Sequence, residues 1–227
     1  MTIRVRQAAL DDLDEIMAVE QDWEESQRAS RDQMTARLRA FPEGFWIFEQ
    51  DDEVVGTLMG FPMRYTPDKI AELSDWDTVT GHGYYPTIDL DTANAIYLAS
   101  GSLKRSARGG MAYAVMMETP VELAERLALD YVLTGAKIPG YDAYCRRFGE
   151  IDAGDYAFRQ LGGCLVDPFL EMYRGHGYLV PDRQHIIPDY YPDPPSRDYG
   201  AIVVRDTSGR RTTSPELDQG PLPRPPV

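Results

Sequence analysis

Two apolar runs, GFWIFEQ and EVVGTLMGFPM, are separated by only two residues, Asp51 and Asp52. A connection that short closes a hairpin, so the runs are predicted to be antiparallel neighbours in one sheet. Adjacent strands of this kind, here and later in the chain, are too frequent for a doubly wound parallel sheet, whose strands are joined through helices. Around the hairpin the hydrophobic period switches between that of strands and that of helices. TIRVRQA places Ile3 and Val5 on one side and Arg4 and Arg6 on the other, which predicts a first strand. ALDDLDEIMAVEQDW sets Leu10, Leu13, Ile16 and Met17 at helical spacing, with Glu20 as an optional fifth member and acids early in the helix. SRDQMTARLRAF predicts a second helix, with Ser30 as N-cap and Gln33 closing a capping box.

Downstream, NAIYLASGSL is the next strand. YAVMMETPVELAERLALD has helical spacing but contains Pro120. TPVE is a good helix start, with Thr119 as N-cap and Pro120 at N1, so a break or sharp kink is expected near Thr119. YVLTGA is a strand, IPGYDAYCRRFG a turn and loop, and DAGDYAFRQLGG a short helix. DPFLEMYRG is a helix with Asp167 as N-cap and Pro168 at N1. YLVPDRQHII and YGAIVVRD are late strands flanking PDYYPDPPSRD. The order β-α-α-β-β-β-α-β-α-β-β fits an α/β (α+β) fold, a mixed central sheet with helices on both faces. From about Thr207 the composition changes to TSGRRTTSPELDQGPLPRPPV, with five prolines and almost no core-forming residues. The expected organisation is one domain over 1–206 and a disordered Pro-rich tail over 207–227.

The chain of 227 residues carries a formal net charge of −14. That acidity argues against nucleic acid or an anionic membrane as a partner, and it suits either solubility or a cationic substrate. Cys145 and Cys164 form no CxxC pattern, and His82, His176 and His185 are scattered, so no metal site is expected. The N-terminus lacks an apolar signal region and no apolar run is long enough to span a bilayer; the expected location is cytoplasmic. The long irregular stretch YTPDKIAELSDWDTVTGHGYYPTIDLDTA brings Trp76, His82, Tyr84 and Tyr85 into one loop, as a substrate wall or as a cap on the core. Tyr84, Tyr85, Tyr141, Tyr190 and Tyr191 either line an aromatic acceptor pocket or serve as ordinary packing. RSARGGMAY follows a strand directly, as a phosphate-binding turn at a helix N-terminus does, but its glycines lack the spacing of the common phosphate loops.

The order of elements, the strand–turn–helix at 95–128 and MYRGHGY together resemble the GNAT acetyltransferase superfamily. There a Q/R-x-x-G-x-G/A loop opens the long helix and its backbone N–H groups hold the pyrophosphate of coenzyme A. With Arg108 at the Q/R position, Met111 and Tyr113 fall on the small positions. With Gly110 and Ala112 on the small positions, Ala107 leads. A loop shorter by one residue keeps Arg108, Gly110 and Ala112 in their roles. The resemblance implies a cofactor site of Gly101, Leu103, Arg108, Gly109, Gly110, Met111, Ala112 and Tyr113, with acetyl-CoA or another acyl-CoA as co-substrate and no metal. DPFLEMYRGHGYLV is similar to the family segment whose tyrosine precedes x-x-x-G-F/Y, which makes Tyr173 the implied general acid for the departing thiolate; otherwise Tyr173 is a core aromatic stacked beside Phe169.

Residues 135–205 resemble a GNAT branch found fused to nitrilase-type C–N hydrolases, and GNAT-like loading domains of polyketide synthases look related. The resemblance implies two sheet strands that splay apart to admit pantetheine, and direct attack by a small-molecule amine. Many relatives are homodimers. Many also place a glutamate on the strand at the site, whereas NAIYLASGSL has no carboxylate; a water chain ending at His82, Asp89 or Asp91 is the substitute, with His82 equally a solvent-exposed loop residue. The alternatives are other acyl-thioester chemistry, such as malonyl decarboxylation or acyl transfer on a carrier protein, and a non-catalytic binding module that keeps the fold.

Overall fold

The computed structural model describes residues 2–107 and 111–209. These fall into two compact units, one drawn from 1–65 and 77–132, the other from 66–76 and 133–227.

The first unit begins with β1 (Ile3–Gln7), α1 (Leu13–Glu20), α2 (Arg31–Ala40), β2 (Phe45–Gln50) and β3 (Glu53–Met63). The short helix α3 (Trp76–Thr80), in this unit from Asp77 on, then β4 (Ala95–Leu103) and α4 (Met111–Arg126), follow. The hairpin is as the sequence requires. Asp51 and Asp52 take φ of 52° and 62°, the left-handed pair that a two-residue turn needs, and Gln50 pairs with Glu53. β1–β2, β2–β3 and β3–β4 are all antiparallel. Ser30 caps α2 as expected: its Oγ accepts from the Gln33 N–H, and Gln33 Oε1 accepts from the Ser30 N–H at 2.7 Å. Ser30→Ala should therefore cost about 1 kcal/mol, measured as a lower urea midpoint at unchanged slope.

Helices cover both faces of these strands. Ile16 and Val19 of α1 and Met34 and Leu38 of α2 join Phe45, Ile47 and Met59 in one buried cluster. On the opposite face Met116 of α4 lies against Gly101. Two local expectations fail here. Leu10 is 45% exposed, because Leu10–Asp12 forms a 3-10 turn that breaks the helical stripe. α4 runs unbroken through Pro120, and the Thr119 hydroxyl donates to Val115 O at 2.8 Å from within the helix instead of capping a new one. Met116, Met117, Pro120, Val121, Leu123 and Ala124 are all buried. Burial of that stripe outweighs the roughly 3 kcal/mol that an interior proline costs.

β5 (Tyr131–Lys137) starts in the first unit and enters the second at Leu133. The second unit continues with α5 (Tyr141–Phe148), α6 (Ala153–Ala157), β6 (Gln160–Leu161), β7 (Cys164–Leu165), α7 (Pro168–Gly175), β8 (Ile186–Ile187) and β9 (Gly200–Asp206). α5 replaces the expected loop. Its buried residues Tyr141, Tyr144 and Cys145 have helical spacing, and Gly140 is its N-cap. Gly140 is glycine because a Cβ there would collide with the Tyr156 hydroxyl. The late strand expected over Tyr178–Ile187 reduces to one bridge, Leu179 to Val204, and the two residues of β8. Between them Asp182 caps a 3-10 turn at Arg183–His185.

The seven-stranded mixed sheet has the order β1-β2-β3-β4-β5-β9-β8, and β6–β7 is a separate hairpin. In that order β4 and β5 are neighbours, and α4 connects them along the chain. Among the described residues no helix is long and apolar enough to cross a membrane.

Candidate active site

In the first unit the pairing of β3 with β4 sets which backbone groups of β4 face outward. Lys104 N–H donates to Val55 O at 2.8 Å, and the pairs Gly56–Leu103, Thr57–Ser102, Leu58–Gly101 and Met59–Ser100 follow. Hydrogen-bonded pairs alternate in an antiparallel ladder. Gly101 and Leu103 therefore direct their N–H groups away from β3. The register slips between Ser100 and Leu98, leaving Ala99 as an extra residue in a bulge that re-aims the strand just before Gly101. A Cβ on Gly101 would lie 2.8 Å from Leu58 Cδ1, so glycine makes room for the Leu58 side chain of β3, while Met116 Sδ of α4, 3.7 Å away, would be in ordinary contact.

β4 runs into a 3-10 turn at Arg105–Ala107. Arg108, Gly109 and Gly110 lie outside the described residues. Met111, Ala112 and Tyr113 form the first turn of the 16-residue α4: Met111 is exposed, Ala112 buried and Tyr113 half-buried.

Between the sheet and α1–α2 lies a buried polar group of residues. Glu20, the last residue of α1, is 2% exposed, and its Oε1 accepts from Ala29 N–H at 2.7 Å. Burial holds its carboxyl above the usual glutamate range, against the pull of the Ala29 N–H, Arg37 and Arg28. Arg37 is also buried; its Nε donates to Gly83 O at 2.7 Å and its Nη1 lies 3.1 Å from Met59 Sδ. Gln33 Nε2 donates to His82 O at 2.9 Å. Two residues one helical turn apart on α2 thus fasten the loop at 81–85.

In that loop Tyr85 caps the core, with its ring 4.5 Å from Phe61. The hydroxyls of Tyr85 and Thr57 are buried and have no hydrogen-bond partner among the described residues. Tyr84 points to solvent at 47% exposure. The candidate bases of the same loop are surface groups. His82 is exposed, 3.9 Å from Asp77; Asp89 accepts from Asp91 N–H and the Thr92 hydroxyl in an exposed turn; and Asp91 is exposed. The Thr92 hydroxyl is the main reason that the Asp89 carboxyl lies below its usual range.

In the second unit Tyr173 is half-buried on α7, its ring 5.9 Å from Tyr178 in an edge-on contact. Tyr173 O accepts from the N–H of both His176 and Tyr178 at 3.0 Å. Gly177 takes φ of +77°, which explains the glycine in MYRGHGY as the residue that ends the helix and returns the chain to Tyr178. Phe169, one turn before Tyr173, is 42% exposed. α7 is anchored by Asp167: Oδ1 accepts from Phe169 and Leu170 N–H at 2.9 and 3.1 Å, and Oδ2 from Gly140 N–H and the Tyr156 hydroxyl at 3.1 and 2.9 Å. The other tyrosines of this unit are committed to packing. Tyr141 donates to Ile151 O at 2.7 Å, Tyr190 is buried over Gly135 and Gly200, and Tyr191 contacts Trp76 and Lys137.

No family model matches the sequence. A Bacillus subtilis (strain 168) protein named Probable hydrolase YhcX is 25% identical over 186 residues, 80% of this chain and 34% of that protein. The chain thus spans about a third of the length of the curated relative it matches. Among solved structures, the loading GNATL domain of CurA from Lyngbya majuscula matches at a TM-score of 0.75 and 19% identity, covering 92% of this chain and 100% of that one. The GphF GNAT-like decarboxylase, in complex with isobutyryl-CoA, matches at 0.74 and 24%, covering 90% and 99%. The fold is that of the GNAT superfamily. The ribosomal-protein-S18-alanine N-acetyltransferase from Escherichia coli matches at 0.54 and 12%, covering 92% and 96%. Glu20 is the group that the sequence did not mark for chemistry. Its signal was present, as an acid in the helical series of apolar residues.

Proposed function

We propose that this chain is an acyl-CoA-dependent N-acyltransferase of the GNAT type, acting on a small amine. The observation that carries the reading is β4, which turns the N–H groups of Gly101 and Leu103 away from β3 immediately before the N-terminus of α4. Coenzyme A suits these residues. Glycine at 101 leaves the strand without a side chain, and the first turn of a 16-residue helix offers N–H groups to a pyrophosphate. Bound there, acyl-CoA supplies an activated acyl carbon. The N–H groups of Gly101 and Leu103 would stabilise the charge that develops on the thioester oxygen. Tyr173 would give its phenolic proton to sulfur as the C–S bond breaks.

A second reading, decarboxylation of a malonyl thioester or acyl transfer on a carrier protein, is favoured by the absence of any carboxylate on β4 and by the higher likeness to a GNAT-like decarboxylase. It needs no base for an amine.

Melting temperature with excess coenzyme A, acetyl-CoA and malonyl-CoA is the test. A ligand at ~100 times its dissociation constant stabilises by about 2.7 kcal/mol. No shift with any of the three would leave a binding module with another ligand. Given a shift, Tyr173→Phe should lower kcat with acetyl-CoA and an amine by ~100-fold at unchanged melting temperature. An unchanged kcat removes Tyr173 from the role. Carbon dioxide release from malonyl-CoA without amine selects the second reading.

A further inference from the structure

We propose that Glu20 is the general base of the reaction, accepting the proton of an acceptor that arrives as an ammonium ion. The inference rests on the N-acyltransfer reading. An ammonium nitrogen has no lone pair, so a proton must leave before it can attack. β4 offers no carboxylate, and His82, Asp89 and Asp91 are held in solvent. Glu20 is a buried carboxylate in the same unit as β4, and Oε1 alone is bonded, to Ala29 N–H. Among the described residues Oε2 has no hydrogen-bond donor.

Its place in the fold is the second argument. Asp22, two residues beyond Glu20, accepts from Arg105 N–H at 3.0 Å, which ties the end of α1 to the chain just past β4. Arg37, whose charge acts on Glu20, touches Met59, and the β4 partner of Met59 is Ser100, next to Gly101. The carboxylate therefore belongs to the layer covering residues 100–105, where the thioester carbonyl is proposed to lie. The unpartnered hydroxyl of Thr57, cross-strand from Ser102, lies on the same sheet face as Met59 and can relay a proton.

A purely structural role does not account for a carboxyl group here. An amide oxygen would accept the Ala29 N–H equally well, and ionising a buried carboxylate is costly. Glu20 makes no ion pair among the described residues, and Arg37 spends its Nε on Gly83 O. The charged groups around Glu20 are Arg28 and Arg37. Tyr85 and Tyr97 are the buried phenols of the same layer, and Asp12, beyond the far end of α1, is held by Arg6. The net charge of −14 draws a cationic acceptor toward the protein. The balance closes. Glu20 takes one proton from R–NH3+, nitrogen bonds to the acyl carbon, and the C–S bond breaks. The second N–H proton replaces the one that Tyr173 gives to sulfur.

The test is Glu20→Gln, which keeps the acceptor for Ala29, assayed with acetyl-CoA and saturating tryptamine, spermidine or glycinamide. The expected result is a fall in kcat of ~100-fold or more, an unchanged melting shift with coenzyme A, and loss of the acid limb of the wild-type kcat profile. Wild-type turnover matched by Glu20→Gln overturns the inference and leaves the N-acyltransfer reading standing. No wild-type turnover with any of the three amines overturns both, and the melting shift then reports separately whether coenzyme A binds. If Glu20→Gln does not fold, the wild-type profile decides: a kcat with no acid limb at any pH at which the protein stays folded overturns the assignment.

Discussion

Asp167→Ala should destabilise the protein by about 3–5 kcal/mol. One buried carboxylate accepts four hydrogen bonds from three segments: the first turn of α7, the start of α5, and the Tyr156 side chain of α6. Removing it strands the Phe169, Leu170 and Gly140 N–H groups and the Tyr156 hydroxyl, and each stranded buried group costs roughly 1–3 kcal/mol before relaxation. Lost capping of α7 is part of that sum. Asp167→Asn distinguishes the parts. Its oxygen can still cap α7, but its NH2 group then faces the Gly140 N–H, donor against donor. The Tyr156 hydroxyl can rotate to accept; Gly140 cannot. Urea unfolding should rank wild type above Asn and Asn above Ala. A loss below about 1 kcal/mol for Ala would mean that water replaces the carboxylate and that the segments are not joined through it.

Gly135→Ala should cost about 3 kcal/mol, the upper end for an overpacked core. The Tyr190 ring, 2% exposed, lies across β5 and β9 where both strands have glycine, Gly135 and Gly200. A Cβ at either position would enter the ring. The ring cannot retreat, because the Tyr190 backbone is held on both sides, donating to Asp198 O and accepting from Trp76 N–H, each at 2.9 Å. The check is a double-mutant cycle with Tyr190→Leu. If steric conflict is the cause, the two substitutions are less harmful together than their separate costs add up to. Simple additivity would point instead to the strand conformation of residue 135.

Features carried within four residues were legible in the sequence. The Ser30–Gln33 box, the Asp167–Pro168 helix start and the Asp51–Asp52 turn each need only neighbours along the chain, and each forms as expected. Features decided by distant partners were not. Gly140 reads as a helix breaker, yet it is glycine to admit Tyr156 from sixteen positions away, and the helix simply begins after it. The signal at Thr119–Pro120 was locally strong and lost to the burial of α4. The orientation of Gly101 and Leu103 depends on pairing with β3 and on the bulge at Ala99, neither of which a single strand reveals. Glu20 lies between the two cases. Its helical position was visible, whereas its burial follows from where α1 docks.

The two ends of the sheet order bear on how the protein behaves when crowded. Among the described residues β1 pairs with β2 alone, and it carries Arg4 and Arg6, both engaged with Glu49. At the other end β8 is two residues long. An extended segment of another chain would meet guanidinium groups at the first border and almost no ladder to copy at the second. Charge at one border and brevity at the other disfavour growth of this sheet into fibrils by strand addition.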